Sequence, residues 1–382
     1  MTCFGRCLFL LSLLFCWSVK AQTEGEPWEA EIHAEGFFRN NEYAQPYGTG
    51  YTLPGFRLSG QVAYHISSFL SGATIEAGVH TTGFFGARRY PTGTWWVELP
   101  HWTDASWKSE VPHLVPLFAV VLHTSPERVV RIGHLDHTAS HHLVEPLYNP
   151  ELRYSADPEM GVQYQVNYEG FRGDAWIDWQ SFTFRADRHQ EAFTAGLTLE
   201  VPLVCRSTYT LTAELQSTAT HRGGEISWLR HDTVHSYWAS ALGLRASYSL
   251  FEGDLYAGAY YLPSFLRTEP QMPSGHAFYS QLGYHTPHIL AELTYWRGKH
   301  FVAPMGAPFV NSRSLWEGPL VKDLTHTSFL GLHARYTFFS SPLVQLSFAA
   351  RGWYHLIPFE GSSQRFSHSL ELYLALSPSF RF

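Results

Sequence analysis

The stretch FSHSLELYLALSPSFRF, residues 366–382, decides the fold. In it Leu370, Leu372, Leu374, Leu376, Phe380 and Phe382 alternate with Ser369, Glu371, Tyr373, Ser377, Ser379 and Arg381. Successive side chains of a strand point to opposite faces, so a period of two describes a strand with one apolar and one wet face. The pattern recurs upstream. Trp28, Ala30, Ile32, Ala34 and Phe38 are set against Glu29, Glu31, His33 and Glu35, and Phe56, Leu58, Val62, Tyr64 and Ile66 against Arg57, Ser59, Gln61 and His65. Residues 160–168 and 209–216 repeat it. Further segments fall at 72–84, 115–123, 128–137, 172–182, 191–201, 236–250, 254–262, 276–286, 288–297, 327–339, 343–355 and 366–382.

No apolar run after residue 21 is long enough for a transmembrane helix; the best, Val115 to Leu122, contains Pro116. A membrane protein with such a sequence must be a closed barrel, the other way to pair every backbone group in lipid. Tight links near Ser67-Ser68, Ser125-Pro126, Glu169-Gly170, Glu252-Gly253, Pro287 and Ser341-Pro342 alternate with long stretches at 39–54, 85–114, 138–157, 183–190, 221–233, 263–275, 298–325 and 357–365. This short-long rhythm and the apolar-out strand ending in Phe382 resemble Gram-negative outer-membrane β-barrels of the porin-like layout. The resemblance implies an all-β, transmembrane up-and-down antiparallel barrel of about sixteen strands (14–18), with both termini in the periplasm. It also implies outer-membrane lipid as a partner and recognition of Phe382 by the barrel-assembly machinery. A soluble β-sandwich is the structural alternative, since alternation alone does not require lipid.

The other end of the chain agrees. Arg6 precedes an apolar run from Leu8 to Trp17, and Val19-Lys20-Ala21 sets small residues before Gln22, so residues 1–21 read as a signal peptide and 22–382 as a single barrel domain. The formal net charge is −7, and cleavage would remove two positive charges, Arg6 and Lys20. Such acidity argues against nucleic acid as a partner. Cys3, Cys7 and Cys16 would leave with the signal, so Cys205 would have no disulfide partner within the chain.

Chemistry must then lie in the lumen or the loops. Glu76, Asp174, Asp178, Glu200, Glu214, Glu292 and Glu371 are expected inside, facing Arg57, Arg245, Arg335 and Arg351. They either hydrate the interior or form a constriction with a transverse field. The third long loop, 138–157, has the rank of the loop that folds inward in sixteen-stranded general porins, which would bring Glu145, Glu151 and Asp157 to the passage. His134, Asp136 and His137 just before it, with His141 and His142 inside it, are candidate metal ligands. Asp136 with a histidine, or Ser140 with a histidine, offers the alternative of a hydrolase. In the second long loop Trp95, Trp96, Trp102 and Trp107 could stack on a glycan or form an interfacial girdle. No cofactor is implied. These features lead to the expectation of a pore or channel for passive uptake of small polar solutes, with the balance against an enzyme. A barrel that binds or helps assemble surface polysaccharide, and a hydrolase using the His-rich loop, are the alternatives.

Overall fold

The computed structural model describes residues 27–44, 50–86, 113–136, 140–182, 191–223, 234–267, 274–312, 324–357 and 363–382. The expected signal peptide and the four tryptophans of the second loop lie outside these residues.

Sixteen strands form one antiparallel meander: β1 (Trp28–Glu42), β2 (Tyr51–Ile66), β3 (Ala73–Phe84), β4 (His113–Ser125), β5 (Arg128–His134), β6 (Met160–Tyr168), β7 (Phe171–Ser181) and β8 (Ala192–Cys205), then β9 (Tyr209–Arg222), β10 (His235–Leu250), β11 (Gly253–Leu266), β12 (Gly275–His285), β13 (Ile289–Lys299), β14 (His326–Ser340), β15 (Val344–His355) and β16 (Phe366–Leu376). A short β17 (Ser379–Arg381) continues the last strand after a break at Ser377-Pro378. Proline cannot donate to the ladder, but the Pro378 carbonyl still accepts the Ile32 N–H at 3.0 Å, so the seam stays paired. β1 pairs with β2 on one side and with β16 and β17 on the other, which closes the sheet and leaves no edge in lipid.

The faces follow the alternation. On β16 Leu370, Leu372 and Leu374 point out and are exposed, while Ser369, Tyr373 and Ala375 are buried within the barrel. Substituting Lys for Leu374 is expected to destabilise the barrel by about 2–4 kcal/mol if the site is at mid-bilayer, whereas Lys at the lumenal Thr212 costs little. Urea titration of folded protein in vesicles checks this, and the opposite ranking would place the register one residue away.

Several strands outrun their apolar alternation. β9 continues past Gln216 to Arg222, and its last outward positions are Ser217, Ala219 and His221. An outer wall that rises above the hydrocarbon needs hydrogen-bonded strand there but no longer needs apolar side chains.

Two loops fold into the lumen. In the third loop Leu147, Leu152 and Tyr154 are buried, with α1 (Leu152–Ser155) at its end. In the seventh, Phe301, Ala303, Phe309 and Val310 are buried. Leu147 and these four residues of the seventh loop join Tyr260, Trp296, Phe329 and Trp353 of the wall in one hydrophobic cluster that reaches Tyr43 beyond β1, while Tyr154 packs with Phe37, Leu53 and Tyr373. The loops lock to each other where Asn149 N–H donates to Met305 O at 2.7 Å. Gly306 is required there, since a Cβ would stand 2.1 Å from the Pro146 carbonyl oxygen. A lumen filled in this way at the level of the loops is the first departure from an open passage.

Candidate functional site

The third loop does fold inward, but its carboxylates are used as anchors. Glu151 accepts from Asn41 Nδ2 at 2.8 Å and from Tyr51, and lies 3.2 Å from Arg39 Nε. Glu145 pairs with Arg351 at 3.1 Å. Asp157 is among the electrostatic neighbours of Arg57, which itself packs on His80. Arg245 lies over the Tyr256 ring at 4.9 Å, and Arg335 is exposed in the lumen. Of the residues expected to face one another across a constriction, only Glu145 and Arg351 meet in an ion pair among the described residues.

His134 and His141 do not converge. His134 Nε2 is 3.0 Å from Glu76, which also holds Arg131 at 2.7 Å. His141 is fully inside, its Nε2 2.5 Å from Glu159 and its Nδ1 2.9 Å from Asp174. Its ring stacks on Trp176 at 3.7 Å and 4°. Asp136 contributes its backbone N–H to Gln163 at 2.8 Å. Among the described residues no group of three or more His, Cys, Asp or Glu is placed to hold a metal ion.

With a carboxylate on each ring nitrogen, His141 is an imidazolium, and the stacked indole favours that charge further. Burial opposes the charge, but the bonds to Asp174 and Glu159 outweigh it and raise the pKa to about 9. A histidine raised above its unfolded value stabilises fully below that value, near 6.5, and loses the contribution as pH rises through the folded one. The third loop is therefore expected to be held tightly at pH 6 and to loosen as pH rises through about 9. Hydrogen exchange of residues 140–157 across pH 6 to 10 measures this. Protection that stays flat after correction for intrinsic rates would show that the proton on His141 does not hold the loop.

His142, the next residue, faces the other way, into a lumenal cleft of about 400 Å³ that also contains Arg172, Glu200, Glu214 and Arg245. Both histidines have positive φ, 52° and 59°, a region costly for side chains with a Cβ and common at functional sites. Burial and the Arg172 charge push His142 below the ordinary imidazole range. The cleft opens beside the short turns before β7 and β9, at the periplasmic end.

A different arrangement occupies the outer wall at the extracellular ends of β9 and β10. His221 and Ser236 are register partners on adjacent strands. Ser236 Oγ is 2.9 Å from His221 Nδ1, and His221 Nε2 is 2.6 Å from the Gly223 carbonyl oxygen. A carbonyl can only accept, so Nε2 carries the proton and Nδ1 presents its lone pair to the serine hydroxyl. Gly223, at φ 99°, takes the left-handed conformation that a side chain would resist. The pair is half-buried beside aromatic residues: Phe193 stacks on His221 at 4.9 Å and on Trp179 at 5.2 Å, and Trp238 stacks on Phe265 at 5.2 Å. Other hydroxyl–imidazole contacts, among them Ser59 with His80 and Ser377 with His33, face the lumen. Sequence reasoning missed the outward pair because it ended β9 near Gln216 and put His221 in a loop.

Fold and wall define an outer-membrane β-barrel of a Gram-negative bacterium. The model of the lipid A 3'-O-deacylase-type family matches residues 19–382, and the chain belongs to that family. Among solved structures, Acinetobacter baumannii OccAB1 is similar with a TM-score of 0.51 at 10% identity, covering 95% of this chain and 99% of that one. Pseudomonas aeruginosa OccK1 (OpdK) gives 0.51 at 9%, covering 92% and 99%. At such identities the likeness is one of barrel fold alone. No curated protein matches the chain in sequence. The family overturns two expectations drawn from layout. A passive pore for small polar solutes is replaced by membership in a deacylase-type family, and the balance against an enzyme is reversed. The inward loops that would narrow a porin here pack a hydrophobic cluster against β10 to β15.

Proposed function

We propose that the protein hydrolyses an acyl ester of lipid A in the outer leaflet, with Ser236 as nucleophile and His221 as general base. The observation that carries this reading is the outward Ser236–His221 pair, with its tautomer set by Gly223, at the long-loop ends of β9 and β10. The family description supports the substrate. Ser236 Oγ would attack the acyl carbonyl carbon as its proton passes to His221 Nδ1. The imidazolium so formed keeps its Nε2–H on the Gly223 carbonyl and returns the other proton to the departing sugar alkoxide. Water then releases the fatty acid from the serine by the same path. A carbonyl in place of the usual carboxylate fixes the ring as well but stabilises its charge less, so turnover should be modest.

A second reading sets the chemistry in the lumen at His142, favoured by its left-handed backbone and depressed basicity. A lipid in the outer leaflet would have to enter the barrel to reach it, which ranks this reading second. The test is incubation of purified, folded protein with lipid A in mixed micelles, followed by mass spectrometry. Loss of one acyl chain with release of the free fatty acid is expected; lipid A of unchanged mass would refute the hydrolase reading. Activity abolished by H142A and not by S236A would move the site to the lumen.

A further inference from the structure

Higher on the outer wall, β11 to β14 bring basic and aromatic side chains together outside any residue assigned a role so far. Lys299, at the end of β13, pairs in register with His276 on one side and His326 on the other. Strands lie about 4.8 Å apart, so the three side chains form one row about 10 Å wide. One outward position nearer the membrane, Arg297 lies between Phe278 and Ser328, and Tyr261 is opposite Phe278. The next outward position is Tyr295, beside Leu330. Below them the wall is exposed and apolar at Leu282, Leu293, Leu330 and Leu332. From the membrane upward the wall therefore passes from leucine to aromatic to cation within a few residues.

These side chains line a cleft of about 440 Å³ on the barrel exterior. None of its described lining residues is acidic, and Arg297 and Lys299 have no ion pair among the described residues. His300, just beyond β13, is held below the ordinary imidazole range by slight burial and by Lys299, His326 and His276, a sign of how positive the spot is. Cations on the outer wall are costly within hydrocarbon and must stand at headgroup level. A positive cluster with no carboxylate of its own, above an aromatic floor, is complementary to an anion attached to acyl chains.

We propose that this cleft binds the phosphate headgroup of a phosphorylated glycolipid of the outer leaflet, with Arg297 and Lys299 on the phosphate, His276 and His326 flanking it, and the aromatic floor against its first methylenes. The cleft begins at Tyr261 on β11, next to the strand of Ser236, and its two cations stand on β13, so it would hold such a lipid against the same wall. The inference rests on the outer-membrane setting and this geometry, and not on the assignment of the nucleophile. Binding is therefore measured in the S236A protein, in nanodiscs of zwitterionic phospholipid, by native mass spectrometry with bisphosphorylated lipid A and its dephosphorylated form as probes. The phosphorylated form should be retained preferentially, and R297Q/K299Q should weaken its retention by about tenfold without affecting the dephosphorylated form. Heat-modifiable mobility of the variant confirms folding, and R365Q, which removes a charge from the β15–β16 connection, should leave retention unchanged. Equal retention of both forms by S236A, an unaffected double variant, or an equal loss in R365Q would each overturn the site. Equal competition by water-soluble glucosamine 1-phosphate would overturn its assignment to a lipid.

Discussion

Replacing Ser236 with Ala, or His221 with Ala, is expected to lower lipid A deacylation by about 10²- to 10⁴-fold, the usual contribution of a positioned base and the nucleophile it activates. Because the two act as a unit, the double variant should be little worse than either single one. The substitutions leave the β9–β10 ladder intact, since pairing there runs through the backbone of register partners. Folded yield should therefore match the parent. A more specific outcome separates catalysis from packing: H221F keeps an aromatic ring against Phe193 but has no nitrogen for the serine, so it should fold normally and be as inactive as S236A. Parental activity in S236A would exclude the serine as nucleophile, and an active H221F would exclude the histidine as base.

The barrel was legible because its evidence is local and repeated. Residues 366–382 alone state a two-faced strand, and every segment placed by alternation is a strand, although β2 begins five residues earlier and β9 ends six residues later than alternation placed them. The inward course of the third loop was legible from its rank among the long loops. What its carboxylates do was not, because their partners lie far away in sequence: Glu151 is held by Arg39, Asn41 and Tyr51, and Glu145 by Arg351. The outward pair was hidden for another reason. Alternation reports lipid contact, and it stops where the wall leaves the hydrocarbon, although the strand continues. His221 lies in that silent part, as do Lys299 and His326 at the rim, while Ser236, His276 and Arg297 stand at the very ends of segments that alternation placed.

Neutralising Glu151 by the E151Q substitution is expected to release the third loop from the wall at a cost of about 3 kcal/mol, the low end of what breaking one side of a buried ion pair usually costs. Arg39 is 3% exposed and would lose its nearest carboxylate, but Glu371 remains at 3.4 Å and Asn41 Oδ1 at 3.0 Å, which moderates the loss. The amide offers one acceptor oxygen in place of two, so Asn41 Nδ2 and the Tyr51 hydroxyl can no longer each donate to an oxygen of their own. Pairing E151L with R39M should recover most of the stability, since removing both charges also removes their desolvation cost. Deacylation at the outer wall should survive E151Q, because Ser236 and His221 lie on outward positions of β9 and β10 while the loop packs in the lumen. Urea unfolding in vesicles, protease cleavage within residues 140–157 and the lipid A assay, run on the same preparations, separate anchoring from catalysis. Loop protection unchanged in E151Q would mean that the hydrophobic contacts of Leu147, Leu152 and Tyr154 hold it alone. Loss of activity with an intact wall would instead tie the inward loop to the reaction and favour the lumenal histidine.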